Sequence, residues 1–248
     1  YIGLRATGIY TTIIFLTSAL QAPYKALIRV SAPLVAEYWK TRDMIKMRRL
    51  YAQVSSVSLV LGLGLFLMVW VNIDFLFSFL KPEFSEGIGV FFFLMIGRLF
   101  DMYFGLNGAI FNTSKKYRYD LIFTLCLIVI VYVLNLYLIP IYGIQGAAIS
   151  TATALVVYNL GRLLFVYFTY EIHPFNGRQF IVIAIGLFCF YIDTLTPIFH
   201  SEAWLNAILT TLLIGSSYFG SILLFNLEPE LKNYLRNGLR HLAKNFKS

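Results

Sequence analysis

Five ionisable side chains stand inside long apolar runs, where a charge is costly and marks a candidate functional position: Lys25, Arg29, Arg98, Asp101 and Arg162. Lys25 and Arg29 are four residues apart, so on a helix they share a face with Gln21. Pro23, between Gln21 and Lys25, can kink that helix and expose carbonyls. Lys25 lies deep in its run and is expected to face a lumen, whereas Arg29 is near enough to the end to snorkel or to join Lys25. Arg98 and Asp101, at i and i+3, face the same side of one helix. They form an internal ion pair, or Asp101 holds Arg98 until an anionic ligand competes, or Asp101 itself takes up a proton. Arg162 follows Tyr158 and Asn159; it is either an interfacial anchor or, with Asn159 as a second polar group, a cavity-lining cation. Asn107 suits an interhelical hydrogen bond, and Arg5, near the end of its run, an interfacial position. Four cations against one acid leave an excess of positive charge. In a low dielectric such a cavity would attract a pyrophosphate, because Arg grips phosphate oxygens in bidentate fashion and Lys acts as a point charge. Asp101 is the only acid at comparable depth and hence the candidate for ion coupling.

The elements that must position these groups follow from composition. Of 248 residues, 59% are apolar and only 13% charged, against roughly 45–50% and 25% in soluble domains. The net charge of +8 sits in short clusters between apolar runs. Disorder, nucleic-acid binding as the main activity and a secreted disulfide scaffold are therefore excluded. Cys126 and Cys189 both fall inside apolar runs, which speaks against a structural disulfide. Seven stretches are long enough to cross a bilayer: about Gly8–Ala36, Tyr51–Val71, Gly87–Phe111, Leu121–Ile139, Ile144–Phe168, Phe180–Phe199 and Ala203–Leu227. They are continuously apolar rather than alternating, which excludes a β-barrel. The expected fold is all-α, a polytopic integral membrane helix bundle of about seven spans.

Lys and Arg place the loops. The loops after the first, third and fifth spans, together with the tail, hold fourteen of them, from Lys40 to Lys247; the alternate loops hold only Lys81. The tail is thereby expected in the cytoplasm and Tyr1 outside. With no signal peptide to translocate that end, earlier spans are expected to precede this chain. The residues from Glu228 to Ser248 place Leu231, Tyr234, Leu235, Leu239 and Leu242 at helical spacing among basic residues, as an amphipathic helix on the inner leaflet would. Trp39, Trp70 and Trp204 fall near the expected interfaces, as an aromatic belt does.

The most telling stretch runs from Asn135 to Thr153. Pro140 ends one span, Gly143 turns the chain, and Gly146, Ala147 and Ala148 open the next span with small side chains that let helices approach closely. This segment resembles the corresponding part of polysaccharide flippases (O-antigen, capsule or exopolysaccharide translocases). These belong to the multidrug/oligosaccharidyl-lipid/polysaccharide exporter superfamily, which also holds lipid II flippases and multidrug exporters. The first run is similar too, with Gly8, Ile9 and Tyr10 at one end and Ala32, Pro33 and Leu34 at the other. Pro23, Pro33, Pro140, Gly143 and Gly146 are then packing and hinge positions.

The resemblance covers most of residues 1–170 and implies the C-terminal lobe of a fourteen-span transporter: five spans in 1–170, an extra terminal helix pair in 171–227 and a basic cytoplasmic tail in 228–248. It implies translocation of a polyprenyl-pyrophosphate-linked oligosaccharide across a bacterial inner membrane by alternating access, for surface polysaccharide biosynthesis. Lys25, Arg29, Arg98, Arg162 and Asn159 would line the pyrophosphate cavity. The implied partners are that glycan, membrane lipid, and a polysaccharide polymerase with its assembly proteins, but no nucleic acid. Two rivals stand beside it. A cation-coupled multidrug exporter on the same scaffold would prefer an acidic cavity. A membrane polysaccharide polymerase or ligase would need longer outer loops than these. No metal-binding Cys/His cluster, Gly-rich phosphate loop or nucleophile–base pair occurs, and His173, His200 and His241 fall in loops or tail. A non-enzyme without cofactor or metal is expected.

Overall fold

A computed structural model describes residues 3–193 and 202–227, and among these every regular element is a helix. In chain order they are α1 (Leu4–Leu20), α2 (Ala22–Thr41), α3 (Met44–Trp70), α4 (Ile73–Ser78), a 3-10 turn (Pro82–Glu86), α5 (Gly87–Phe104), α6 (Leu106–Thr113), α7 (Arg118–Tyr170), α8 (Gly177–Asp193) and α9 (Ala203–Leu224). Helices α3, α7 and α9 and the segment Pro82–Phe104 are long and apolar enough to cross a bilayer; α1 and most of α8 form shorter apolar helices. Only helices satisfy their own backbone in lipid, so runs of this length and polarity fold as a membrane-embedded helix bundle. The expected tail helix from Glu228, together with His200 and His241, lies outside the described residues.

Two runs that read as single spans are broken. The first divides at Gln21 into α1 and α2, which puts Pro23 in the opening turn of α2, where its missing N–H removes no intrahelical bond. The third divides at Gly105 into α5 and α6. These breaks touch, because a Cβ added to Gly105 would overlap the Tyr24 hydroxyl. Pro33 lies within α2 and leaves the Arg29 carbonyl without its helical donor.

The runs Leu121–Ile139 and Ile144–Phe168 are the two limbs of α7. The helix reverses at Gly143, whose φ of 57° and ψ of −132° suit glycine and strain any other residue. Pro140 sits in the last turn before the reversal, and Gly146 follows it so closely that a Cβ there would collide with the Leu138 carbonyl. The limbs run antiparallel: Phe123 meets Gly161, and the rings of Phe123 and Phe165 are 5.8 Å apart.

Three apolar clusters hold the bundle. One joins α1, α5 and the start of the second α7 limb through Ile9, Ile13, Phe91 and Ile144. Another, at the end carrying the basic loops, joins α2, α3, α6 and the end of α7 through Val35, Tyr51, Phe111 and Val166. The third docks α8 and α9 onto α3 through Val60, Val182, Ile214 and Tyr218. At the basic-loop end, Asp43 caps α3 by accepting the Lys46 backbone N–H at 3.0 Å. That bond and the Lys46 ammonium hold its carboxyl below the usual carboxylate range. At the far end, Arg5 bridges Glu83 and Glu86. Trp39 packs edge-on against Tyr170, while Trp70 stacks on Phe66 and Phe190 at the opposite end of the bundle.

Candidate functional site

The break at Gln21 turns a carboxamide into the bundle. Gln21 is buried, and its Nε2 donates to Oδ2 of Asp101 at 3.3 Å. From α7, the fully buried Asn159 donates through Nδ2 to Oδ1 of Asp101 at 3.5 Å and to the Leu155 carbonyl at 2.9 Å. Two amides on two other helices thus offset the desolvation of a half-buried carboxylate. The Oδ1 of Asn159 is buried with no hydrogen-bond partner among the described residues. A carboxylate beside an unused amide oxygen can accept a proton or a small monovalent cation. Tyr24 lies against Gly105, one helical turn beyond Asp101. Further toward the basic-loop end, the buried Tyr51 hydroxyl donates to Oδ1 of Asn107 at 2.7 Å, the interhelical bond expected of Asn107.

Arg162 is 5% exposed and has a counter-charge. Its Nη2 lies 2.8 Å from Oδ1 of Asp120, and its guanidinium carbon sits 4.7 Å from the Tyr158 ring centroid and 5.4 Å from that of Phe111. Gly108 leaves it room, since a Cβ there would sit 3.2 Å from Nη2. The contact with Asp120 is one of charge rather than an aligned hydrogen bond, because Asp120 Oδ1 and Arg162 Nε both lack a hydrogen-bond partner. It joins the two limbs of α7 across their common axis.

Two expectations are corrected here. The pair Arg98–Asp101 does not form among the described residues; i, i+3 spacing brings the two near, but the Gln21 and Asn159 amides take the Asp101 oxygens. Nor does Arg162 stand as an interfacial anchor or join Asn159 as a cavity-lining cation: it is buried, and the fold-back of α7 delivers Asp120 to it while Asn159 turns to Asp101. The remaining cations stand apart. Arg98 is half-buried, its Nε enclosed and without a partner among the described residues. Lys25 and Arg29 lie on the exposed face of α2, away from the buried Gln21 and Tyr24. No hydrogen bond or ion pair ties Lys25, Arg29 or Arg98 to the Asp101 cluster among the described residues.

Asp120 and Tyr51 escaped the reading of the residues. A signal for Asp120 exists in the chain: the midpoint between it and Arg162 is Ile141, inside the Pro140–Gly143 turn, so a hairpin turning there brings the two alongside. Tyr51 carries no such signal, since a tyrosine in an apolar run looks like any other core aromatic. Compared with protein-family models and with curated proteins, the chain matches none.

Proposed function

We propose that this chain is the C-terminal part of a multispan transporter that moves a polyprenyl-pyrophosphate-linked oligosaccharide across a bacterial inner membrane. The carrying observation is Arg98, a guanidinium at membrane depth with an enclosed Nε and no protein partner among the described residues. A cation so placed is stabilised by an anion that comes and goes, and a pyrophosphate matches its geometry. Lys25 and Arg29 add positive charge on an exposed face of α2, where a facing helix bundle would close a cavity around them. Asp101, bracketed by Gln21, Asn159 and an unused amide oxygen, is the ion-coupling group of this reading. Two bundles rock around the cavity, the seven apolar runs cross the membrane, and the polyprenyl chain stays in lipid. A surface-polysaccharide polymerase and its assembly proteins would act on the delivered glycan.

The test is the leaflet distribution of lipid-linked glycan in a bacterium lacking the gene. Accumulation on the cytoplasmic side, rescued by the native gene and not by Lys25→Ala with Arg98→Ala, supports the reading. Unchanged distribution on deletion removes it, and full rescue by the double variant removes the cationic cavity. The exporter alternative is disfavoured because the membrane-depth excess is positive, opposite to what an organic cation requires.

A further inference from the structure

A second pair of arginines is left unused by the Asp101 cluster. Arg48 and Arg49 lie in the opening turns of α3, at the basic-loop end, on the wall of a cavity of about 720 Å³. Its other walls come from the end of α7 and the segment leading into α8, including Tyr170, Glu171, Phe175 and Asn176. Arg48 donates from Nη2 to Nε2 of His173 at 2.5 Å. A guanidinium can only donate, so His173 accepts there and carries its proton on Nδ1. Burial, and then the Arg48 charge, hold this imidazole below its ordinary value, so it stays neutral. Arg48 is therefore oriented by a neutral ring that leaves its charge uncompensated. Glu171 is the one acid on the wall, and neither arginine forms an ion pair with it; the nearby Asp43 is occupied by Lys46.

Phe175 borders this cavity and, with it, an apolar groove of about 440 Å³. The groove runs between Leu59 and Leu63 of α3, Phe100 of α5, Leu160 of α7 and Ile183 of α8. The exposure of Phe180, Phe100 and Leu160 shows that it opens sideways, toward lipid. From Arg49 to Leu63 the α3 axis covers roughly 21 Å. That exceeds the half-thickness, roughly 15 Å, of a bilayer's hydrocarbon core. A chain entering beside the arginines can thus follow protein through a whole leaflet.

We propose that the joint of α3, α7 and α8 is a binding site for one anionic phospholipid from the leaflet on the basic-loop side. Arg48 and Arg49 take the phosphate, and an acyl chain fills the groove beyond Phe175. Arginine forks suit phosphate oxygens, and anionic headgroups gather where basic loops meet the membrane. The lipid adds to the Gln179–Ser56 hydrogen bond in tying α3 to the start of α8. The site requires membrane embedding alone and stands independently of the transport reading.

The test uses the intact protein in neutral detergent, titrated with phosphatidylglycerol or phosphatidylcholine of identical chains, with bound lipid counted by native mass spectrometry. One phosphatidylglycerol is expected to be retained at a concentration at least tenfold below that needed for phosphatidylcholine. Arg48→Gln with Arg49→Gln should erase that preference. Lys40→Gln with Arg42→Gln removes the same charge from exposed positions off the cavity wall and should keep it. Ile183→Trp, which fills the groove, should weaken retention of both lipids. Equal retention of the two lipids by the native protein overturns the proposal. So does a preference lost to the same degree in the Lys40/Arg42 variant, which marks diffuse surface charge, or binding of a polyprenyl phosphate with no diacyl lipid retained. If the Arg48/Arg49 variant does not fold, the native ratio and the Ile183→Trp variant still decide.

Discussion

The seam where α2, α3, α5, α6 and the two limbs of α7 meet carries charged groups through its middle, whereas the seam of α3 with α8 and α9 is largely apolar and carries none there. The first contains Gln21–Asp101–Asn159, Tyr51–Asn107 and Asp120–Arg162. The second is filled by Leu59, Val60, Val182, Ile214 and Tyr218. Its polar contacts join neutral groups: Asn72 with Thr211 at 2.6 Å near one end, Gln179 with Ser56 at 2.8 Å near the other, and the Tyr218 hydroxyl with the Val60 carbonyl at 3.2 Å between them. Both helix breaks, at Gln21 and Gly105, fall on the polar seam, while α3 and α9 run unbroken. Where helices are interrupted, side-chain amides and hydroxyls enter the bundle and sustain charges. Where they are continuous, close packing holds the interface with neutral hydrogen bonds and no buried charge.

The sharpest way to break this contrast is to strand a charge. Asp120→Asn leaves Arg162 buried without its counter-charge and is expected to lose about 3–5 kcal/mol in reversible unfolding from mixed micelles. Asp120→Leu combined with Arg162→Met should lose less than Asp120→Asn alone. If the double variant loses more, the seam is held by the attraction itself rather than by compensation of a buried cation.

Next in size is a comparison of glycines. Gly146→Ala forces a Cβ into the Leu138 backbone carbonyl, which cannot yield, and should destabilise by about 2 kcal/mol. Gly215→Ala on the apolar seam meets only the mobile end of Met68, so the same thermal-unfolding assay should move by less than about 0.5 kcal/mol, with helix propensity offsetting contact. Two buried tyrosines give a smaller contrast. Tyr51→Phe removes the donor to Asn107 and should cost about 1–2 kcal/mol. Tyr218→Phe frees the Val60 carbonyl, which still accepts within α3, so the loss should stay below about 1 kcal/mol. Equal losses would mean that the polar seam is no more dependent on its hydrogen bonds than the apolar one.

The smallest effect is a pH slope belonging to neither seam. Burial and Arg48 depress the His173 imidazole, so the folded state binds fewer protons than the unfolded state below the ordinary histidine value. Stability is then highest above about pH 6.5 and falls as pH drops through the lowered folded value. In chemical-unfolding curves between neutral and mildly acidic pH, His173→Gln should flatten that slope; an unchanged slope would place the sensitivity on other groups.

Much of the scaffold was legible. Each of the seven apolar runs begins on a helix, and Pro140, Gly143 and Gly146 mark the reversal of α7 by residue type alone. Pro23 marked the break at Gln21, whereas the break at Gly105 was not legible: no proline stands beside it, and its contact with the Tyr24 hydroxyl comes from a distant part of the chain. At the candidate site, Asp101 and Asn159 were identifiable as costly polar residues, but their union with Gln21 was not. The expected grouping of Lys25, Arg29, Arg98 and Arg162 dispersed because Lys25 and Arg29 share the exposed face of α2, while Arg162 turns inward to Asp120 and Arg98 stands half-buried on α5. Arg162 was legible as a costly cation, and its partner Asp120 only through reflection about the Pro140–Gly143 turn.

By itself, the sequence determined that this protein is an all-helical bundle embedded in a membrane, with its basic loops gathered on one side. Apolar runs of such length leave a backbone no other way to satisfy itself in lipid. It also determined that a few charges must be stabilised at depth, because their positions along the runs are read directly. Only the tertiary structure decided which of those charges are compensated and by whom. A hydrogen bond or ion pair between helices depends on the rotation of each about its own axis. That rotation is set by how residues from distant parts of the chain pack, Ile13 in one cluster with Phe91, Phe111 in another with Val166, and Ala152 against Gly97, not by the spacing of polar residues along any one helix.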